Sequence, residues 1–304
     1  MEITNKSVPD QEQLLIQAQK VVNSVGIPSQ PKIVLDIFDL IDRPDTNFRD
    51  ISALISKDVS LSAKIIKVAN SPFFAPASSI ESINQALSFL GLENFYQLIL
   101  SSALEKAMSD HSPEFSDIHI FWNHSMNVAG ISKMLVEKFQ LGIGDALTEQ
   151  HAYMAGLFHD CAIPLLMKKY ENYSKDIGLP IQNNPLITND EIIYFYTNHS
   201  LAGYLVAKSW KLPKNVCSAI RYHHDERLID RDDWVSRRLA SILFLAEHLW
   251  QDTKMSELPA GGMELDKTVL DDLLYEKILE SVLDELSIKP QELDDIKAEI
   301  FEQM

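Results

Sequence analysis

The sequence predicts an all-α protein in which a small N-terminal helical bundle is packed on a larger helical bundle. Apolar residues recur at helical spacing through most of the 304 residues. The 10 glycines and 13 prolines are too few for a β-rich or disordered chain, and 46% hydrophobic residues suffice for a sizeable core. The first third of the sequence has neither the period-two pattern of a strand nor an Asn-Gly hairpin signal.

Short helices separated by turn signals make up the N-terminal part. The periodicity predicts helices over residues 11–25, 32–42, 48–58, 60–71, 79–91 and 93–110. Thr46 or Asn47 is expected to cap the third helix and Ser60 the fourth. Gly91 is a natural stop for the fifth, since glycine favours the backbone conformation found just after a helix.

Longer helices follow. They are predicted over residues 118–140, 149–170, 191–210, 215–224 and 237–250, and two amphipathic helices are predicted after residue 255. We expect Thr188 or Asn189 to cap the third of these, and Pro213 to lie in the first turn of the fourth. The predicted domains are residues 1–112, 113–255 and 256–304, and the last is expected to be an extension that packs on the second or supports dimerisation.

Charge and cysteine content exclude several classes of protein. A formal charge of −17 repels phosphate backbones, so nucleic acid is not an expected partner. No apolar run approaches the roughly 18 residues of a membrane span, and the N-terminus lacks the features of a secretion signal. Cys161 and Cys217 form no Cys-x-x-Cys spacing, which argues against a thiolate zinc site. We therefore expect a soluble, cytoplasmic protein, and the oligomeric state stays open.

Histidines in apolar helical segments suggest a metal site. His124, His159 and His199 share helix faces with apolar or small residues, and imidazoles placed in this way can converge inside a helical bundle. Asp160 follows His159 directly, and neighbouring helical residues point about 100° apart. The two would fit the edge of a two-metal centre if Asp160 bridges the ions. Imidazole and carboxylate ligands suit Fe, Mn, Ni, Co or Zn. The alternative, that each is a satisfied core histidine, stays open here.

Longer motifs carry a family resemblance over roughly residues 25–250. AGLFHDCAIPLL (155–166) and NHSLAGYLVAKSWKLPKNVCSAIRYHH (198–224) resemble the HD superfamily of metal-dependent phosphohydrolases. The N-terminal half contains ISALISKDVSLSAKIIKVANSPFF and SIESINQALSFLGLENFYQLIL, which resemble the HDOD signalling domain more closely. The resemblance implies an all-α protein with an HD-like second bundle. It also implies a role in bacterial signal transduction, usually by binding rather than by turnover.

The resemblance also supplies a set of metal ligands for a mononuclear or dinuclear site. They are His124, His159, Asp160, His199, His223, His224 and Glu247, the last standing where the superfamily has an Asp. We expect a core of His124, His159, Asp160 and Glu247. The remaining three histidines would complete a second metal site.

Two departures from active HD-GYP phosphodiesterases bear on activity. Ala162-Ile163 replaces the Gly-Lys that follows the His-Asp doublet, which removes a cation able to stabilise a scissile phosphate. The Gly-Tyr-Pro motif is also absent after His223-His224.

Three interpretations follow from these features. The chain is a signalling protein that binds a protein partner, with a metal site that is structural or vestigial. Alternatively, it is a metal-dependent phosphohydrolase acting on a nucleotide or cyclic dinucleotide. In the third interpretation it is a sensor that holds a nucleotide second messenger or a metal without turnover.

Overall fold

The computed structural model describes residues 10–26, 31–41, 47–70, 76–109, 118–177, 187–225, 227–257 and 269–303. These residues form helices and no β-strand, which confirms the all-α prediction; the only bridges among them are isolated ones at Ile143. The α-helices are α1 (Gln11–Val25), α2 (Lys32–Ile41), α3 (Phe48–Ile55), α4 (Val59–Ala69), α5 (Ile83–Ser109), α6 (Ile118–Lys138), α7 (Glu149–Phe158), α8 (Ile163–Lys169), α9 (Tyr173–Asp176), α10 (Ile187–Phe195), α11 (His199–Ser209), α12 (Lys214–Tyr222), α13 (Trp234–Glu257), α14 (Val269–Leu286) and α15 (Glu292–Gln303).

The helices form two compact units. The larger unit comprises Met1–Ile27 and Glu114–Pro290, and the smaller unit comprises Pro28–Pro113 and Gln291–Met304. Helix α1 thus belongs with α6–α14, and α15 belongs with α2–α5, a division that differs from the domain boundaries expected from the sequence. The expected boundary at 112–113 lies outside the described residues, and α13 continues to Glu257, past the expected boundary at 255–256.

Capping side chains set the helix starts in the smaller unit. Asn47 accepts hydrogen bonds from the backbone N–H of Arg49 and Asp50, which confirms it as the cap of α3. Asp58, and not the predicted Ser60, caps α4 by accepting from the N–H of Leu61 at 3.0 Å. The predicted start was wrong because the carboxylate two residues earlier already satisfies a free N–H of the first turn.

Gly91 interrupts α5 in the way the sequence predicts. Its φ of 74° and ψ of 166° are not helical, so two helical segments meet there at a kink. Glycine adopts this backbone conformation without the steric penalty that a side chain would add.

Helix α1 packs against α8 and α11 in the larger unit. Its Leu14 and Ala18 contact Leu201 of α11 in one apolar cluster. In a second cluster, Val22 contacts Ala162 and Ala202. The first helix of the chain therefore covers the segment that directly follows the His159-Asp160 doublet.

Two helices that were predicted as continuous are each broken in the structure. The helix predicted over 149–170 ends at Phe158 and resumes at Ile163, because a proline ring at position 164 would collide with the carbonyl of Asp160 in a continuous helix. The helix predicted over 191–210 is interrupted at 196–198. There Tyr196 has a φ of 57°, and Asn198 caps α11 by accepting from the N–H of Leu201. Both breaks lie beside predicted metal ligands.

Helices α6 and α7 approach each other closely at Gly156. A Cβ atom at this position would lie 2.6 Å from Cα of Ala129 on α6, which is too close for two carbon atoms. The absence of a side chain at Gly156 is therefore what allows the two helices to approach this closely. No helix within the described residues is long and apolar enough to cross a membrane.

We predict opposite effects for alanine at two glycines of these helices. Gly156→Ala should lower the free energy of unfolding by about 1–3 kcal/mol, because the backbone of α6 must move to admit the methyl group. Gly130→Ala on α6 is the matched control: its Cβ would meet nothing within 4 Å, so the higher helix propensity of alanine should stabilise by about 0.5–1 kcal/mol. Urea denaturation measures both, and equal stability changes would contradict the packing described here.

Candidate metal centre

All seven predicted ligands lie in one cluster inside the larger unit. They come from five helical segments: His124 lies on α6, His159 and Asp160 follow α7, His199 begins α11, His223 and His224 follow α12, and Glu247 lies on α13. The neighbouring His248 is not part of this cluster, and its Nδ1 lies 3.0 Å from the Tyr275 hydroxyl. The structure thus confirms that the side chains converge, and their metal-binding role stays a prediction.

The cluster divides into two groups of potential ligands. In each group one ligand atom per residue lies within 4.8 Å of the others. We name them the His199 group, which comprises Asp160, His199, His223 and His224, and the His124 group, which comprises His124, His159 and Glu247.

Asp160 lies between the two groups. Its Oδ2 is 3.1 Å from Nε2 of His159 and 3.5 Å from Nε2 of His124. Its Oδ1 is 3.3 Å from Nε2 of His199. A carboxylate that presents one oxygen to each group has the geometry expected of a bridging ligand. The sequence analysis listed Asp160 with the core that contains His124 and also as the bridge of a two-metal centre, and in the structure its oxygens face both groups.

Hydrogen bonds to backbone carbonyls orient two of the imidazoles. Nδ1 of His159 lies 2.7 Å from the carbonyl oxygen of Gly156, and Nδ1 of His223 lies 2.7 Å from that of Ile220. A carbonyl oxygen only accepts, so Nδ1 carries the hydrogen in both rings. In each neutral ring the lone pair is therefore on Nε2, which is the atom that could ligate a metal.

Glu191 is a site residue that the sequence analysis missed. It is fully buried on α10, and its Oε2 lies 2.8 Å from Nδ1 of His199. A continuous helix over 191–210 would have separated the two residues by about 12 Å along its axis. Only the break at 196–198 folds α11 back towards Glu191. Glu191 also follows Asp190 near the start of its helix, where acidic residues are common, so its charge did not mark it as a site residue.

Burial and mutual charge set the pKa values of the cluster. Burial opposes ionisation of Asp160, but the neighbouring imidazoles of His159, His124 and His199 outweigh it and hold its pKa well below the usual range. Burial raises the pKa of Glu247 to about 7, with Asp160 adding to the effect. For His199 burial is outweighed by Glu191 and Asp160, which raise its pKa to about 9.

Other imidazoles of the cluster behave differently. Burial, reinforced by neighbouring imidazoles, holds the pKa values of His223 and His224 well below the usual range. Burial likewise lowers the pKa of His124, despite its proximity to Asp160. These three rings are thus in the neutral form that ligates metals.

The arrangement of the nitrogen and oxygen atoms suits a bound metal ion better than hydrogen bonding among the side chains themselves. Among the described residues, both oxygens of Asp160 and Nε2 of His223 are buried and make no hydrogen bond. Buried polar atoms normally have a hydrogen-bond partner. Several unpartnered polar atoms in one cluster therefore indicate that a further partner, such as a bound ion, completes the site. Imidazole nitrogen and carboxylate oxygen suit Fe, Mn, Co, Ni or Zn. The His199 group and the His124 group would each hold one ion.

The cluster is enclosed on most sides. Six of the seven ligand residues are at most 5% exposed, and His224 is the exception. His224 and Glu247 line a cleft of about 200 Å³, solvent at its mouth included. The remaining lining residues are Phe244, His248, Gln251 and Tyr275. The cleft gives the centre a narrow opening between α13 and α14.

An all-helical unit with a His-Asp doublet at a helix end and further imidazoles around it defines an HD-type protein. The family model of the HDOD domain matches residues 27–226. The chain belongs to the HDOD domain family.

One curated relative matches most of the chain. An uncharacterised protein of Treponema pallidum (strain Nichols) is 26% identical over 239 residues, which are 73% of this chain and 43% of that protein. The chain thus spans less than half the length of that curated relative.

Two crystal structures share the fold. An HDOD domain protein of unknown function from Geobacter sulfurreducens has a TM-score of 0.65 at 23% identity and covers 97% of this chain and 99% of its own. A candidate phosphohydrolase from Shewanella amazonensis SB2B has a TM-score of 0.67 at 20% identity, with 94% and 95% covered.

We predict that divalent metal stabilises the larger unit through Asp160. At a free concentration 100 times the dissociation constant, one bound ion adds about 2.7 kcal/mol. For a unit of this size that corresponds to a rise in Tm of about 5–10 °C. Thermal unfolding of chelator-treated protein, with and without Mn²⁺, Co²⁺, Ni²⁺ or Zn²⁺, measures the rise.

Asp160→Asn should lose most of the rise, since it removes the charge between the two groups. Asp176→Asn, at an exposed carboxylate on α9, should keep it. A rise of the same size in Asp160→Asn would show that the metal binds elsewhere.

Proposed function

We propose that this chain is a bacterial signal-transduction protein that acts by binding a signalling protein or a nucleotide second messenger. Its seven-ligand centre holds one or two divalent cations without turning over a substrate. The observation that carries the proposal is the enclosure of the ligands, because a phosphohydrolase must bring a phosphate ester into contact with its metals.

The size of the opening supports a role without turnover. Ligand pockets for small molecules typically enclose about 300–1,000 Å³. The cleft beside His224 and Glu247 has about 200 Å³ even when the solvent at its mouth is counted, so the enclosed space is smaller still and is too small for a cyclic dinucleotide.

The segment after the doublet supports the same conclusion. Active HD-GYP proteins, which the sequence resembles, have a lysine three residues after the Asp, at the position of Ile163. Here Ala162 and Ile163 are fully buried, and Ala162 packs against Val22 of α1. A position that contributes a cation in those enzymes contributes to the apolar core in this chain.

The centre would still have a physical role with cations bound. Bound divalent ions would supply positive charge and Lewis acidity beside Asp160. The seven candidate ligands lie on or directly beside α6, α7, α11, α12 and α13, so bound ions would hold these five helices together. Such a centre stabilises one arrangement of these helices, which is what a binding surface on them requires.

A metal-dependent phosphohydrolase acting on a nucleotide or cyclic dinucleotide is the second candidate. The position of Asp160 between two groups of imidazoles favours it, since paired ions that share a carboxylate are common in enzymes that cleave phosphate esters. His224 and Glu247 line the cleft and would be the ligands nearest to an entering substrate.

A turnover assay on metal-loaded protein separates the two candidates. Protein stripped with a chelator is reloaded in separate samples with Mn²⁺, Fe²⁺, Co²⁺, Ni²⁺ or Zn²⁺, and its metal content is measured by elemental analysis. Each sample is incubated with bis(p-nitrophenyl) phosphate and with a cyclic dinucleotide. We expect one or two ions per chain and no more product than Asp160→Asn forms under the same conditions.

The opposite result has a clear signature. Product formation that depends on metal and falls at least 100-fold in both Asp160→Asn and His159→Ala would establish the phosphohydrolase. If neither the wild-type protein nor His159→Ala retains metal, neither candidate function can involve a bound metal.

A further inference from the structure

Glu191 makes three hydrogen bonds in the interior of the larger unit. Its Oε2 accepts from the backbone N–H of His199 at 2.9 Å and faces Nδ1 of the same residue at 2.8 Å. Its Oε1 accepts from the Tyr173 hydroxyl at 2.5 Å. Glu191 is fully buried and Tyr173 is 1% exposed, so these bonds form away from solvent. The carboxylate thus fixes both the ring and the main chain of His199.

The Tyr173 hydroxyl is a permanent donor to Glu191. Burial and the Glu191 carboxylate raise the pKa of Tyr173 well above the usual range, so the hydroxyl keeps its hydrogen. The Tyr173 ring stacks on Phe195 of α10 at 5.6 Å between centroids, which ties α9 to the helix that carries Glu191. Tyr173 therefore holds the carboxylate from the side opposite His199.

The position of His199 in its helix explains why it needs a carboxylate. His159 and His223 lie at helix C-termini, where the carbonyls of Gly156 and Ile220 lack an intrahelical partner and accept from Nδ1. His199 begins α11, and the first turn of a helix offers free N–H groups instead of free carbonyls. Its ring needs an acceptor from another element, and Glu191 provides it.

We propose that Glu191, held by Tyr173, is a positioning residue that strengthens metal binding in the His199 group and leaves the His124 group unaffected. The proposal rests on the proposed function in one respect, which is that the centre binds cations. A carboxylate bonded to Nδ1 orients the ring and makes Nε2 a better electron donor, and loss of such a partner typically weakens metal binding by 10–100-fold. Nε2 of His199 faces Oδ1 of Asp160, where an ion of this group would lie.

The test uses Co²⁺ alone as the probe and disables one group at a time. His124→Ala removes a ligand of the His124 group, and His223→Ala removes one of the His199 group. Glu191→Gln is added to each, because glutamine keeps the shape and removes the charge. Calorimetric titration and Co²⁺ absorption give the dissociation constant of the remaining ion.

We expect Glu191→Gln to weaken Co²⁺ binding about 10–100-fold in the His124→Ala background and less than twofold in the His223→Ala background. Glu171→Gln, at an exposed carboxylate two residues before Tyr173, is the matched control and should change neither constant. Equal weakening in both backgrounds, or none in either, would overturn the role of Glu191. Failure of wild-type protein to bind Co²⁺ would instead refute the proposed function, so the two failures are distinguishable.

Tyr173→Phe keeps the proposal testable if Glu191→Gln does not fold. It leaves both contacts between Glu191 and His199 in place and removes only the third hydrogen bond. We expect a smaller weakening, about threefold, again confined to the His124→Ala background. Far-ultraviolet circular dichroism of each metal-free variant checks folding. A fully folded Tyr173→Phe protein with unchanged Co²⁺ affinity would contradict the role of Tyr173 in holding Glu191.

Discussion

The structure of the larger unit depends on the charge of one buried carboxylate, that of Asp160. Moving an ion from water into a protein interior costs several kcal/mol unless opposite charge and hydrogen bonds compensate. Both of its oxygens lie among imidazoles, and neither makes a hydrogen bond. The surrounding rings nevertheless keep its pKa low, so the carboxylate stays charged and the cluster must contain balancing positive charge. Protons on the imidazoles of His159 and His199 can supply that charge, and divalent cations can supply more of it.

Helix ends present the imidazoles to this carboxylate. A histidine just after a helix can donate Nδ1–H to a carbonyl that the helix leaves unpaired, and its Nε2 then points away from the helix. His159 and His223 both use this arrangement. The close approach of α6 and α7 at Gly156 then brings Nε2 of His124 within 3.2 Å of Nε2 of His159. A hydrogen bond to a free carbonyl at the helix end and the absence of a side chain at Gly156 thus position His159 and His124, two of the three residues of the His124 group.

The sequence predicts the helical class and a set of seven candidate ligands, but not the way the chain positions them. Periodicity detects helices because an apolar face repeats every turn. It does not detect the breaks at 159–162 and 196–198, where the flanking residues remain apolar. The proline at 164 and Asn198 were the local signals for these breaks. Glu191 was missed for the same reason, since its contact with His199 exists only once the second break is made. The expected ligands came from family resemblance, which carries the spatial information that periodicity lacks.

The presence of seven candidate metal ligands is weak evidence for turnover in a cluster as enclosed as this one. Removing one partner of a buried ion pair typically costs about 3–5 kcal/mol, because the other charge is left uncompensated. Loss of His159 or His199 would remove part of the charge that compensates Asp160, and loss of His199 would remove the ion-pair partner of Glu191. Folding therefore preserves these side chains whether or not a substrate is ever bound. Ala162 and Ile163, two and three residues after Asp160, compensate no buried charge, and both stand in the apolar core.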